Sequence, residues 1–150
     1  MKKKQKLLCL FLSVCMVFTC MIGLSVTAAA DTTVTWNKSD INMSGIIHTI
    51  SGDSFTKDGV TVNSYAIDAY GDDVSISNLS SSTGTFTTTL GNFTKIEVTA
   101  MNNISGSGWS GNSSKITWTT GEGVEASSNV SFSGSIMGFM GLTIVFTIVE

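Results

Sequence analysis

Gly84-Thr-Phe-Thr-Thr-Thr-Leu-Gly-Asn-Phe-Thr-Lys-Ile-Glu-Val-Thr-Ala-Met101 is the stretch that decides the fold class. Two runs rich in Thr, Val, Ile and Phe flank Gly91-Asn92, and β-branched and aromatic runs broken by glycine and asparagine are the mark of strand, turn and strand. The stretch predicts a β-hairpin. A two-residue loop at Gly91-Asn92 would set Phe86 opposite Glu97 and place a carboxylate beside a core ring. A three-residue loop over residues 90–92 instead pairs Phe86 with Ile96 and Thr88 with Thr94. It turns Phe86, Ile96, Val98 and Ala100 inward and leaves Lys95 and Glu97 in water, so it is the expected register.

Period-two alternation recurs on both sides of this stretch. Thr33-Val-Thr-Trp36 turns Val34 and Trp36 inward, Lys115-Ile-Thr-Trp118 does the same with Ile116 and Trp118, and Asn129-Val-Ser-Phe132 with Val130 and Phe132. Residues 45–50 and 74–76 read as short strands, and Asp58-Gly59 between apolar residues is a tight-turn signal. From Val60 to Ile67 the apolar phase slips, which predicts a bulge near Asn63-Ser64. Residues 102–114 read as a loop. The last run sets Leu142, Ile144, Phe146 and Ile148 on one face and Val145 and Val149 on the other, the pattern of a central strand covered on both sides. About seven to eight antiparallel strands at regular spacing predict an all-β domain, a β-sandwich or jelly roll, with a barrel as the alternative.

The chain opens on Lys2-Lys-Lys-Gln-Lys6, continues apolar from Leu7 to Val26, and reaches Ala28-Ala-Ala30 before Asp31. A basic start, an apolar run and small residues describe a secretory signal peptide over residues 1–30, with one domain over residues 31–150. The apolar run approaches bilayer-spanning length, so an uncleaved anchor is the alternative. All three cysteines, Cys9, Cys15 and Cys20, lie in this leader. No small residue precedes Cys15 or Cys20 as a lipidation site would want. The remainder carries four lysines against eleven carboxylates, 4 − 11 = −7. That charge repels phosphate and anionic lipid, which excludes nucleic acid and, after cleavage, membrane as partners.

The run Phe93-Thr-Lys-Ile-Glu-Val-Thr-Ala100, then Gly108-Trp-Ser-Gly111, Lys115-Ile-Thr-Trp118, Val130-Ser-Phe-Ser-Gly134 and Ile144-Val-Phe-Thr-Ile148, resembles a small uncharacterised all-β domain of secreted and surface proteins of gut-type Gram-positive anaerobes. The resemblance implies extracellular placement and a binding role, with no catalytic residues to carry over.

Chemistry-bearing residues are sparse. His48 is the single histidine; its neighbours Ile46, Ile47 and Ile50 make it a strand histidine, and neither a Cys–His pair nor a zinc site can be assembled around it. Glycosidase chemistry would need two facing carboxylates from Asp72, Asp73, Glu122 or Glu125, for which a thin sandwich offers little cleft. Asp68, Asp72 and Asp73 are the densest acidic group: a calcium-held loop or a solvated one. Trp109 stands in a loop of glycine, serine and asparagine, where it has two readings. It presents an indole face for a sugar ring, with Ser110, Asn103 and Asn112 as hydrogen-bonding neighbours, or it folds back as a lid with its N–H on a carbonyl. The cost of exposing tryptophan favours the lid. The expected function is a non-catalytic extracellular binding or adhesion module for a glycan or cell-wall polymer. A structural surface protein that self-associates through sheet edges is the alternative.

Overall fold

The computed structural model describes residues 30–41, 52–70, 73–79 and 81–150. Residues 1–29 of the expected leader, the expected strand at 45–50 with His48, and Asp72 lie outside the described residues. Within them the chain is all-β and sandwich-like, with thirteen short strands in three antiparallel sheets and a single helical turn, α1 (Lys38–Ile41). The strand number exceeds the expectation because several long runs bend and split. No helix among the described residues is long and apolar enough to cross a membrane.

Sheet A runs β1 (Thr32–Asn37), β13 (Thr143–Val149), β7 (Asn92–Thr99), β10 (Lys115–Thr119) and β9 (Trp109–Gly111). Sheet B runs β11 (Asn129–Phe132), β6 (Gly84–Thr88), β3 (Val60–Ser64) and β2 (Asp53–Lys57). Their inner faces interdigitate through aromatic rings. Trp36 meets Phe146 at 4.8 Å and Phe55 at 5.0 Å, and Phe86 meets Phe132 at 4.9 Å and Phe146 at 5.5 Å. All but the half-buried Phe55 are essentially closed to solvent. A ring this deep contributes about 1.5–3 kcal/mol of burial, and the edge-on pairs add to that.

Sheet C runs β4 (Ala66–Tyr70), β5 (Asp73–Ser77), β12 (Ser135–Met137) and β8 (Met101–Asn102). Three of its strands continue strands of the other sheets: β4 follows β3 past Tyr65, β8 follows β7 past Ala100, and β12 follows β11 past Ser133-Gly134. Strands that switch sheets at bends make the corners of such a sandwich. The phase slip near Asn63-Ser64 is one of these corners. There the buried Ser64 hydroxyl donates to the Ser77 carbonyl at 2.7 Å, and the Tyr65 N–H donates to Asn78 Oδ1 at 3.2 Å.

The expected hairpin of residues 84–101 is not one. β6 pairs with β3 and β11, setting Phe86 opposite Val62 and Val130, while β7 pairs with β13 and β10, setting Ile96 opposite Phe146 and Trp118. Residues 89–91 carry the chain from sheet B to sheet A. The inward set Phe86, Ile96, Val98 and Ala100 is buried as expected, but from facing sheets. Alternation specifies which side faces in; it does not specify the neighbour. The crossing is held locally by the Thr89 N–H on the Gly59 carbonyl at 3.0 Å and the Leu90 N–H on Thr88 Oγ1 at 3.1 Å. Gly91, at φ 143°, lies so close to the Val149 carbonyl that a Cβ has no room. A register shift opposite Thr147 and Ile148 then lets both Phe93 and Ile96 face the core.

Other expectations fall in place. Asp58 (φ 51°) and Gly59 (φ 76°) form a two-residue turn with both angles positive, the hairpin type their sequence favours. β13 is central, between β1 and β7, with Leu142, Ile144, Phe146 and Ile148 buried. Its outer residues Val145 and Val149 are half-buried and not covered as expected. The edge strand β9 occupies part of the stretch expected to be a loop.

A groove at the open edge of the sandwich

Between β10 of sheet A and β11, the edge strand of sheet B, the two sheets do not close, and the gap holds a groove of about 340 Å³. Its floor is Trp118, Val130 and Phe132, all buried, with half-buried Val124 beside them. Its rim carries Ser107, Glu125, Asn129 and Ser133. Three segments build it. Alternation in β11 turns Val130 and Phe132 to the floor and leaves Asn129 and Ser131 exposed. The Ser-Gly-Ser-Gly run of residues 105–108 folds over Trp118, and Gly108, at φ 80°, would drive a Cβ to 2.5 Å from Trp118 Nε1. A small turn with paired Gly121 and Val124 backbones supplies the acidic side.

Trp109 braces this groove from behind. It sits on β9 directly opposite Trp118, half-buried, at 6.3 Å from Phe86 and 6.5 Å from Phe132, and its Nε1–H donates to the Ser131 carbonyl at 2.9 Å. This is the lid geometry: the indole N–H is satisfied and the ring caps two core phenylalanines. Ser131 and Phe132 thus serve both the lid and the groove.

The other residues expected beside Trp109 do not converge on it. Ser110, next along β9, pairs with Thr117 and by strand alternation points to the opposite face. Asn112 builds the β9–β10 turn, where its Oδ1 accepts from the Ser114 N–H (2.9 Å), the Ser114 hydroxyl (2.8 Å) and the Lys115 N–H (3.0 Å). Asn103 clasps sheet C, accepting from the Ser135 N–H at 2.6 Å and donating its own N–H to the Ser135 carbonyl at 3.1 Å. Sequence reasoning missed the groove residues Trp118, Val124, Asn129 and Ser131, because they belong to separate segments that meet only when the sheets stack. Glu125 was weighed only as a catalytic carboxylate.

Asp68 and Asp73 share one face of the β4–β5 hairpin as diagonal neighbours, Asp68 opposite Ser75 and Asp73 opposite Tyr70. The Ser75 hydroxyl donates to Asp68 at 3.4 Å. Among the described residues no group of three His, Cys, Asp or Glu side chains is placed to hold a metal ion. The perturbed carboxylates lie elsewhere and serve as struts. Glu97, on the outer face of sheet A, is held below its ordinary value by Lys115 at 3.0 Å and then Lys95 at 3.1 Å. Asp40 in α1 is lowered first by the Asn37 N–H at 2.8 Å and then by Lys57 at 2.9 Å.

A second hollow, about 480 Å³, lies by Met101, Met140 and Leu142. One wall is Met140, a side chain 83% exposed on a turn, and Thr99, Ser113, Ser114 and Thr143 give it hydroxyls but no amide or carboxylate side chain. Comparison with protein-family models, curated proteins and solved structures finds no match.

Proposed function

We propose that the chain is a non-catalytic extracellular binding module that holds a glycan in the groove between β10 and β11. The carrying observation is the pairing of an apolar floor, Trp118, Val130 and Phe132, with a rim of hydroxyl, amide and carboxylate groups. A sugar ring has the matching anatomy, with C–H faces for the floor and hydroxyls for the rim. Glu125 is the one acidic side chain among the described residues lining the groove, which supports binding over two-carboxylate hydrolysis. The basic-apolar leader and its Ala28-Ala-Ala30 end support an extracellular setting.

The test is retention of the purified protein on insoluble glycans and cell walls, with calcium or chelator present. Asn129→Ala and Glu125→Ala alter exposed rim side chains, so their melts are expected to match the parent while retention falls. Equal retention by parent and both variants would move the binding surface out of the groove. No retention by the parent on any glycan would remove the carbohydrate reading.

A further inference from the structure

The described sheet edges are defended unequally. β2 carries Asp53 and Lys57, β9 and β8 are three and two residues long, and β4 carries Asp68. β11 is blocked by the Trp109 indole on its Ser131 carbonyl and by bridges at Ser127 and Ser133. β1 has none of these devices from Thr32 to Trp36, and only the outward N–H of its last residue, Asn37, is taken, by Asp40. The strand is six uncharged residues, Thr-Thr-Val-Thr-Trp-Asn, paired to β13 without a register break. A straight, uncharged, β-prone edge is a template for another strand.

Two hydrogen bonds fix which peptide groups face out. The Lys38 N–H donates to the Leu142 carbonyl, continuing the ladder in which even-numbered residues of β1 bond β13. The Asn37 N–H turns the other way, to Asp40. Thr33 and Thr35 share the Asn37 phase, so their N–H and C=O groups point away from the sheet. No strand among the described residues pairs with them.

We infer that β1 pairs antiparallel with β1 of a second copy, Thr33 opposite Thr35 of that copy, with a two-fold axis through Val34. The pairing is self-complementary, as a closed dimer requires. It sets Asp31 of each copy opposite Asn37 of the other, one residue from Lys38, so opposite charges approach at both ends of the pair, and neither Asp31 nor Lys38 has an ion-pair partner among the described residues. α1, directly after Asn37, stops the ladder there, which selects a pair over an open fibre. The two five-stranded sheets become one of ten strands. Because β1 and β9 are opposite edges of sheet A, the two grooves end up about 40 Å apart at the far ends, from a strand spacing of about 4.8 Å. Two weak sites at fixed separation bind a repeating polymer with avidity that one site lacks.

Sedimentation equilibrium of the full chain in density-matched detergent tests the inference. The parent is expected at twice the monomer mass at high micromolar concentration. Thr35→Pro removes an outward N–H without touching the β13 ladder and is expected to weaken the dimer about tenfold or more. Thr33→Lys with Thr35→Lys, which sets like charges opposite one another on exposed positions, gives a second disruption independent of proline's backbone effect. Asp31→Lys or Lys38→Asp alone is expected to weaken it about threefold to tenfold, and the two together to restore it. A monomeric parent, or a dimer indifferent to both Thr variants, overturns the edge; failure of the charge swap to rescue overturns the register. Groove binding is read separately by Asn129→Ala, whose dimer is expected to be intact.

Discussion

Trp36 and Trp109 occupy the two edge strands of the same sheet, both on its inner face, and end in different states. Trp36, on six-residue β1, is fully buried, with edge-on rings at 5.0 and 4.8 Å and its Nε1–H on the Lys57 carbonyl at 3.4 Å. Trp109, on three-residue β9, is half-buried, with its nearest rings at 6.3 and 6.5 Å. Gly108, at φ 80°, precedes it and Gly111, at φ 143°, follows two residues on, where Trp36 stands between Thr35 and Asn37. A tryptophan in an alternating strand becomes core; one between glycines becomes a lid. Among the described residues the groove lies on the second side.

The largest effect separating the two sides is truncation of the rings. Trp36→Ala is expected to cost about 3–5 kcal/mol in urea unfolding, and a loss under 1 kcal/mol would break the contrast. Trp109→Ala, removing a ring already half in water, is expected to cost about 2 kcal/mol. Equal losses would make the lid as much core as Trp36. Asn112→Ala releases three hydrogen bonds of an exposed turn and is expected to cost about 1 kcal/mol. By NMR it should speed exchange of the Trp109 indole proton and leave that of Trp36 unchanged; equal acceleration would mean the edges open together.

The smallest effect is on pH. Glu97 sits below its ordinary value of 4.5 in the folded protein, so its carboxylate stabilises the fold above that pH, and the contribution is lost as pH falls through the folded value. With Lys95 and Lys115 about half exposed, the expected size is about 0.2–1 kcal/mol, reduced by salt. Asp40, beside β1, has the same sign below 3.8. Comparing Glu97→Gln with Asp40→Asn across pH 2–6 apportions the acid loss between the outer face of sheet A and the α1–β2 contact beside β1. Stability flat over that range in the parent would remove both struts from the account.

What could be read in the sequence was the face, and what could not was the neighbour. Trp36, Trp118, Val130 and Phe132 are inward because alternation with polar residues is a local signal. The Asp58-Gly59 hairpin was equally legible, since two positive φ angles are a property of two adjacent residues. Phe86 and Ile96 mark the limit: their burial followed from the pattern, but their partners Val62, Val130, Phe146 and Trp118 are set by packing between distant strands. β8, β9 and β12 are too short to show a period. The lid reading of Trp109 was available because an unpaired indole N–H needs an acceptor; the identity of that acceptor, Ser131, was not.

β13 lies between β1 and β7, joining residue 32 to residue 148. Until Thr143–Val149 is made, β7, β10 and β9 can pair among themselves but β1 has no ladder to join. Contacts this far apart in sequence make loop closure costly, so sheet A is completed only once β13 is made and not from its N-terminus forward.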